Sequence, residues 1–137
     1  MKAILKISLI LTIFCLYSCA ETQQVLETTG RVQLDGTYTI TTLNGDSVNG
    51  MTINFSGITK RVSGNGGCNQ YFADYTLNNL TLTIGDIGAT KKACPNLDNE
   101  TELFEALANV GSYNSVGKSL TLYSKDNNDV LIEATEN

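Results

Sequence analysis

The chain of 137 residues has no histidine, no tryptophan and only one proline. Without histidine there is no imidazole to act as the base of a Ser-His-Asp or Cys-His site, as a metal ligand or as a pH switch. Basic residues are also scarce, since 9 Lys and Arg stand against 14 Asp and Glu, for a net charge of −5. Nucleic acid is bound through a positive surface, so we expect no nucleic-acid partner.

The N-terminal segment has the layout of an export signal. Lys2 and Lys6 are followed by an apolar run of eleven residues, 7–17. That length fits the apolar part of a signal peptide, whereas a membrane-spanning helix needs about 20 apolar residues. The run ends in Leu16-Tyr17-Ser18-Cys19, which resembles a bacterial lipobox. The alternative is a short membrane anchor that is never cleaved.

The lipobox resemblance implies a lipid-anchored protein. Residues 1–18 would be the signal peptide, and Cys19 would carry the diacylglycerol and become the new N-terminus. Removal of Lys2 and Lys6 changes the net charge of the remaining chain from −5 to −7. Ala20, rather than Asp, follows the cysteine, and by resemblance to Gram-negative sorting this favours the outer membrane. We therefore expect a cell-envelope location with the membrane contacted through the N-terminal lipid.

The rest of the chain is predicted to be a polar tether, residues 19–34, and one domain, residues 35–137. Val25, Leu26 and Val32 would instead dock on the domain if the tether is not free. In the domain, apolar and polar residues alternate with the period of two that is typical of half-buried strands. The main strand candidates are 38–43, 51–55, 71–77, 80–84, 113–116, 119–123 and 130–134, with Asn44-Gly45 as a hairpin turn.

One segment has helical spacing instead. Asn99 and Glu102 have the spacing of a capping box, and Gly111 suits the position after the helix. Apolar residues between them recur every three or four positions, which predicts a helix of about eleven residues. Short strands joined by tight turns indicate antiparallel pairing, and either a barrel or a closed sandwich would remove exposed edges. The predicted fold class is mainly β (α+β), with about eight strands and one α-helix.

Cys68 and Cys94 are the cysteines left in the domain. In an exported domain they are predicted to form a disulfide, which would contribute about 3–4 kcal/mol in the chain-entropy model. Two free buried thiols are the alternative. Without histidine or a CxxC pair these cysteines make a poor metal site, so we expect no metal and no cofactor.

Two further features of the sequence could carry chemistry. The glycine-rich residues 64–67 lack the GxGxxG spacing and no helix follows them, so we interpret them as a loop that needs positive φ angles. Asp74 and Asp86 are candidate acid and base groups, but nothing in the sequence brings them together, and solvated surface acids are the simpler interpretation. We therefore expect a protein that is not an enzyme.

The segment SGNGGCNQY, residues 63–71, and the segment ATKKAC, residues 89–94, resemble the signature of the META domain family, also called HslJ-like. The resemblance covers residues 35–134 and includes the helix and the last strands. It implies a compact antiparallel β-barrel-like domain with a single helix. It carries over no catalytic residues. The matching positions are expected to be structural: Gly64, Gly67, Cys68, Asn69, Tyr71, Thr90 and Cys94.

Many members of the family are bacterial lipoproteins or secreted proteins, and some are linked to stress tolerance. The resemblance therefore favours a non-enzymatic envelope lipoprotein that aids stress tolerance by binding an envelope protein or another envelope component. The alternative is a carrier that holds a small lipophilic ligand in the interior or mouth of the barrel. Either protein is expected to be a monomer.

Overall fold

The computed structural model describes residues 34–137. The predicted signal peptide, Cys19 and all of the predicted tether except Leu34 lie outside the described residues. Leu34 itself is buried in the core. The secondary structure in chain order is β1 (Gly36–Leu43), β2 (Asp46–Ser47), β3 (Met51–Ser56), β4 (Arg61–Gly66), β5 (Gln70–Asn78), β6 (Thr81–Ile84), β7 (Gly88–Ala89), α1 (Asp98–Ala108), β8 (Val110–Val116), β9 (Ser119–Ser124) and β10 (Val130–Glu136).

Eight of the strands form a closed antiparallel barrel in the order β1-β3-β4-β5-β6-β8-β9-β10. The barrel closes where β10 returns to β1, with Tyr38 opposite Glu136 and Leu43 opposite Ile132. The short strands β2 and β7 are added to β1 and β5. Within residues 34–137 the barrel is accompanied by a single helix, so the predicted fold class is confirmed.

The interior of the barrel is filled by side chains. Inward positions alternate with outward ones, as in β5, where Tyr71, Ala73 and Tyr75 are buried and the residues between them are exposed. The aliphatic residues without any exposed surface come from the strands around the barrel and from α1: Ile40, Ile53, Val62, Leu82, Leu103, Leu107, Leu120, Leu122 and Ile132. Eight strands enclose only enough space for such side chains.

Helix α1 lies across one end of the barrel. It packs against β1, β4 and β6, and β1 and β6 stand on opposite sides of the barrel in the strand order. A helix that touches opposite strands covers an opening rather than an outer wall. Its buried side chains Leu103, Ala106 and Leu107 therefore close the interior at this end, which we call the helix end.

The opposite end carries three hairpin turns and the start of β1, and we call it the hairpin end. Its turns join β3 to β4, β5 to β6 and β8 to β9. Leu34 closes the interior here. The Tyr75 hydroxyl lies 3.0 Å from the carbonyl oxygen of Leu34 and 3.2 Å from that of Ser56. The described chain thus begins directly beside the β3–β4 turn.

Local sequence signals were correct for the first hairpin turn and wrong in detail for the helix. Asn44 and Gly45 have φ angles of 50° and 91°, the combination that a two-residue hairpin turn requires. The helix begins one residue before Asn99, after Leu97, and has no side-chain cap. Gly111 lies in β8, where a Cβ atom would overlap the Lys125 backbone. It is required by close strand packing rather than by a helix terminus.

No helix in residues 34–137 combines the length and the apolar character that crossing a bilayer demands.

Candidate functional site

The residues of the family signature gather at the helix end. Gly64 and Gly66 are in β4, Cys68 and Asn69 form the turn into β5, and Thr90 follows β7. The structure brings this turn against the first turn of α1, where Glu100 points into it. We call Glu100, Asn69 and Thr90 the Glu100 cluster. The sequence alone does not single out Glu100, because no local pattern indicates these contacts.

Glu100 is a buried carboxylate with three hydrogen-bond donors. Its side chain is only 6% exposed. Oε2 accepts from the backbone N–H of Asn69 at 2.6 Å and from that of Cys68 at 3.3 Å. Oε1 accepts from the side-chain amide of Asn69 at 2.7 Å. Charge-assisted hydrogen bonds of this kind are the strong ones in proteins, so they hold the start of α1 to the β4–β5 turn.

These contacts decide the ionisation of Glu100. Burial alone would raise the pKa of the Glu100 carboxyl group, because it disfavours the charged form. The hydrogen bonds from the Asn69 side chain and from the backbone of Asn69 and Cys68 act in the opposite direction, and the net effect lowers the pKa. Glu100 is therefore ionised at neutral pH and is a poor general acid or base.

Asn69 is the centre of the cluster. Its side-chain oxygen accepts from the Thr90 hydroxyl at 2.8 Å and from the backbone N–H of Lys92 at 2.7 Å. Because its amide group donates to Glu100, the orientation of the Asn69 side chain is fixed on both sides. Thr90 also accepts from the backbone N–H of Gln70 at 3.2 Å. Asn69 thus joins three segments: the β4–β5 turn, the residues after β7 and the start of α1.

Cys68 and Cys94 lie beside this cluster at disulfide distance, with Cα atoms 6.3 Å apart. This geometry supports the predicted pairing. Cys94 belongs to residues 90–97, which contain no regular secondary structure and lead into α1. The bridge therefore ties the same turn to the same segment that Asn69 holds by hydrogen bonds.

Tyr71 connects the cluster to the barrel interior. Its hydroxyl donates to the backbone oxygen of Thr52 at 2.9 Å, and its ring packs edge-on against Phe104 of α1 with the ring centres 5.6 Å apart. Burial raises the pKa of Tyr71, so the hydroxyl remains a donor. This tyrosine has a packing role, as the signature resemblance implies.

The prediction that residues 64–67 form a loop with positive φ angles is wrong for most of the segment. Gly64 and Gly66 are part of β4, and only Gly67 has a positive φ angle, 103°. A Cβ atom at Gly66 would come within 2.8 Å of the Glu100 carboxylate. A Cβ atom at Gly64 would overlap the Thr52 carbonyl oxygen and approach the Tyr71 hydroxyl to 2.8 Å. These two glycines are needed for close packing rather than for a turn.

Replacing Gly64 with alanine is expected to reduce the free energy of unfolding by about 2–3 kcal/mol, because the backbone oxygen of Thr52 cannot move away without breaking strand pairing. Gly45→Ala is the control. There the added Cβ meets nothing within 4 Å although φ is 91°, so only the left-handed backbone costs about 1–2 kcal/mol. Urea denaturation of both variants measures the difference. A Gly64 variant as stable as the wild type would contradict the packing role.

The two acidic candidates from the sequence, Asp74 in β5 and Asp86 between β6 and β7, are both exposed. Asp74 lies 3.4 Å from the Arg61 guanidinium. Within the described part of the chain, no group of three or more Cys, Asp or Glu residues is arranged to hold a metal ion. Buried side-chain nitrogen and oxygen atoms in this part all have hydrogen-bond partners. The Glu100 cluster is thus a built and satisfied arrangement that fastens one end of the barrel.

The fold and the Glu100 cluster together describe a small β-barrel. A helix closes one end of this barrel and is fastened to it through the GGCN turn, residues 66–69. The chain belongs to the META domain family, whose profile matches residues 31–137. A protein from Burkholderia xenovorans, solved by NMR, is 22% identical with a TM-score of 0.60, over 76% of this chain and 83% of that chain. A DUF4847 family protein from Bacteroides vulgatus is 15% identical with a TM-score of 0.57, over 77% of this chain and 95% of that chain. These two similarities concern the fold alone. Comparison with curated proteins gives no match.

Proposed function

We propose that this META domain protein is a lipid-anchored protein of the cell envelope that contributes to stress tolerance by binding rather than by catalysis. The proposal that the protein does not act by catalysis is supported by the burial and hydrogen bonding of Glu100. Among residues 34–137 it is the only buried carboxylate, and its hydrogen-bonding capacity is used by Asn69 and Cys68. A carboxylate held ionised in this way serves the fold and is poorly suited to proton transfer at neutral pH.

The sequence before the domain supports the anchored part of the proposal. The basic start, the apolar run and the Leu16-Tyr17-Ser18-Cys19 motif occur in the order that a lipoprotein signal requires. Acyl chains on Cys19 would hold the protein at the membrane. Ala20 after the cysteine favours the outer membrane. The partner is then expected to be another envelope component, reached by an acidic domain on a short tether.

The anchoring is tested by expressing the full chain in a Gram-negative host and measuring the intact mass of the membrane fraction. We expect a protein that begins at Cys19 and carries the added mass of acyl chains. The matched control, Cys19→Ser, should retain residues 1–18 and carry no lipid. A wild-type chain with the same mass and fractionation as the Cys19 variant would contradict lipid anchoring.

The binding role is tested in the same strains. A deletion strain should be more sensitive to heat, detergent or antibiotics, and the wild-type gene should restore tolerance while Cys19→Ser should not. Crosslinking in intact cells should then capture one envelope component with the anchored protein. A deletion strain that resembles the wild type under all three stresses would contradict the stress role.

A small-ligand carrier is the second candidate, and one surface feature favours it. An open groove of about 670 Å³ lies between β6 and the β9–β10 turn. Its volume is in the range of ligand sites, and hydroxyl and amide groups line it, including those of Thr81, Ser112 and Asn128. Because the barrel interior is filled, a ligand would bind in this groove, whose lining also includes the apolar side chains of Ala108 and Val110. A small molecule that co-purifies with the protein would favour this candidate.

A further inference from the structure

Three aliphatic side chains project into solvent at the hairpin end. Ile58 in the β3–β4 turn is 90% exposed, Leu80 in the β5–β6 turn is 62% exposed, and Val116 at the end of β8 is 68% exposed. Single exposed aliphatic residues are common on protein surfaces. Here, however, one stands at each of the three hairpins that define this end, and a cluster of exposed apolar residues at one place indicates an interaction surface.

The three hairpins are neighbours around the barrel. Strand β4 pairs with β5, and β6 pairs with β8, so the β5–β6 hairpin stands between the other two. In an antiparallel barrel the connections between strands lie alternately at the two ends, so the β3–β4, β5–β6 and β8–β9 turns lie at the same end. The three aliphatic residues therefore face outward from one end of the molecule, along about half of its rim. We call Ile58, Leu80 and Val116 the hairpin tips.

The chain enters the domain at the same end. The side chain of Asp35 accepts a hydrogen bond from the backbone N–H of Gly57 at 2.8 Å, next to Ile58. Leu34 is fixed through its carbonyl oxygen by Tyr75. Cys19 precedes Leu34 by fifteen residues, so the covalent chain keeps a lipid on Cys19 within about 50 Å of this end.

Two of the three turns that carry the hairpin tips have positive charges, whereas the whole chain has a net charge of −5. Lys60 and Lys118 are exposed in the β3–β4 and β8–β9 turns, and these turns contain no acidic residue. Asp35 and Glu136 flank the end, and Asp74 is paired with Arg61. The helix end, in contrast, carries Asp98, Glu102 and Glu105 on α1. Lysines beside apolar tips complement the phosphate groups of a membrane surface.

We propose that the hairpin tips insert into the phospholipid membrane that holds the lipid anchor, so that the barrel stands on its hairpin end and presents its helix end to the periplasm or to the outside. This inference rests on the proposed anchoring through Cys19. The anchor holds the domain at the surface, and the tips then give it one orientation. The acidic helix end is turned away from the negative lipids, where it remains accessible to partners.

The absence of native tryptophan permits a direct test on the lipidated full chain. Ile58→Trp and Val116→Trp place a fluorophore at a tip. Val130→Trp is the control, because Val130 is also partly exposed but begins β10 at the helix end. Each variant is reconstituted into vesicles of phosphatidylethanolamine and phosphatidylglycerol with bromine atoms at a depth of about 5–10 Å. We expect blue-shifted emission and strong quenching by the bromine atoms at the tips, and unchanged emission at position 130.

Intact mass, measured on the same samples, reports the anchor separately. A lipidated protein whose tip and control positions are quenched equally, or not at all, overturns the docking inference and leaves the anchoring intact. Tip emission that is blue-shifted without quenching also overturns it, since the tips would then be covered by protein, either residues 20–33 or a second copy. A protein without the lipid mass overturns the anchoring, and the docking inference falls with it.

Discussion

Replacing Glu100 with alanine is expected to lower the free energy of unfolding by about 3–5 kcal/mol, because three buried donors lose their acceptor. Two of these donors are the backbone N–H groups of Cys68 and Asn69, and the third is the Asn69 amide. Urea denaturation at pH 7 measures the loss. Glu105→Ala is the matched control: it removes the same charge from an exposed site on the same helix and should change stability by less than about 0.5 kcal/mol.

The same carboxylate makes stability depend on pH. The folded-state pKa of Glu100 is lowered, whereas the unfolded chain has the ordinary value near ~4.3. The contribution of Glu100 is therefore complete above about pH 4.3. It is lost as the pH falls from there through the lower folded-state pKa, because the folded protein must then accept a proton on a group that its hydrogen bonds keep ionised.

Glu100→Gln separates charge from shape. A glutamine has one acceptor and one NH₂ group, so one of the three donors would face another donor. Asn69 cannot turn its amide round to adapt, because its oxygen already accepts from Thr90 and Lys92. We expect a loss of about 1–3 kcal/mol at pH 7 and a flatter stability profile as the pH falls below about 4.3. Identical acid dependence of this variant and the wild type would contradict the role assigned to Glu100.

The strands were predictable because each carries its signal locally. The period-two pattern placed β3 and β6 within one residue of their observed bounds, and the Asn44-Gly45 turn fixed the first hairpin. Barrel closure is different in kind. Tyr38 and Glu136 pair across almost the whole domain, and no local pattern specifies that register. The family resemblance, rather than the periodicity, made a closed barrel the preferred expectation.

The Glu100 cluster could be predicted only in part. Asn69 and Thr90 were recognised as scaffold residues from the signature, and they do bind each other and the neighbouring backbone. Nothing in the local sequence separates Glu100 from Asp98, the other acid in the first turn of the helix. The burial of Glu100 depends on where α1 lies across the barrel, which is a property of the tertiary structure. The glycine at position 66 was the available signal, because it leaves the space that the carboxylate fills.

The second large effect is expected from the Cys68–Cys94 bridge. It closes a loop between residues 26 apart, and in the chain-entropy model such a bridge contributes about 3–4 kcal/mol. Reduction of the wild-type protein should therefore lower its urea midpoint markedly. The Cys68→Ala, Cys94→Ala double variant should start from the lower stability and should not respond to reductant. Two alkylatable thiols at these positions in the exported, unreduced protein would contradict the bridge.

Loss of the bridge should increase local opening most in residues 90–97. This segment has no strand or helix of its own, and the backbone N–H of Lys92 donates to the side-chain oxygen of Asn69. Once the bridge is reduced, this bond and the contacts of Thr90 with Asn69 and Gln70 remain, so local opening becomes easier. We expect the Lys92 amide to exchange its hydrogen much faster after reduction. The exchange rates of amides in β4 and β5 should change only as far as the free energy of global unfolding changes. Equal acceleration throughout the barrel would show that the bridge acts on the unfolded chain alone and that the Glu100 cluster orders this segment without it.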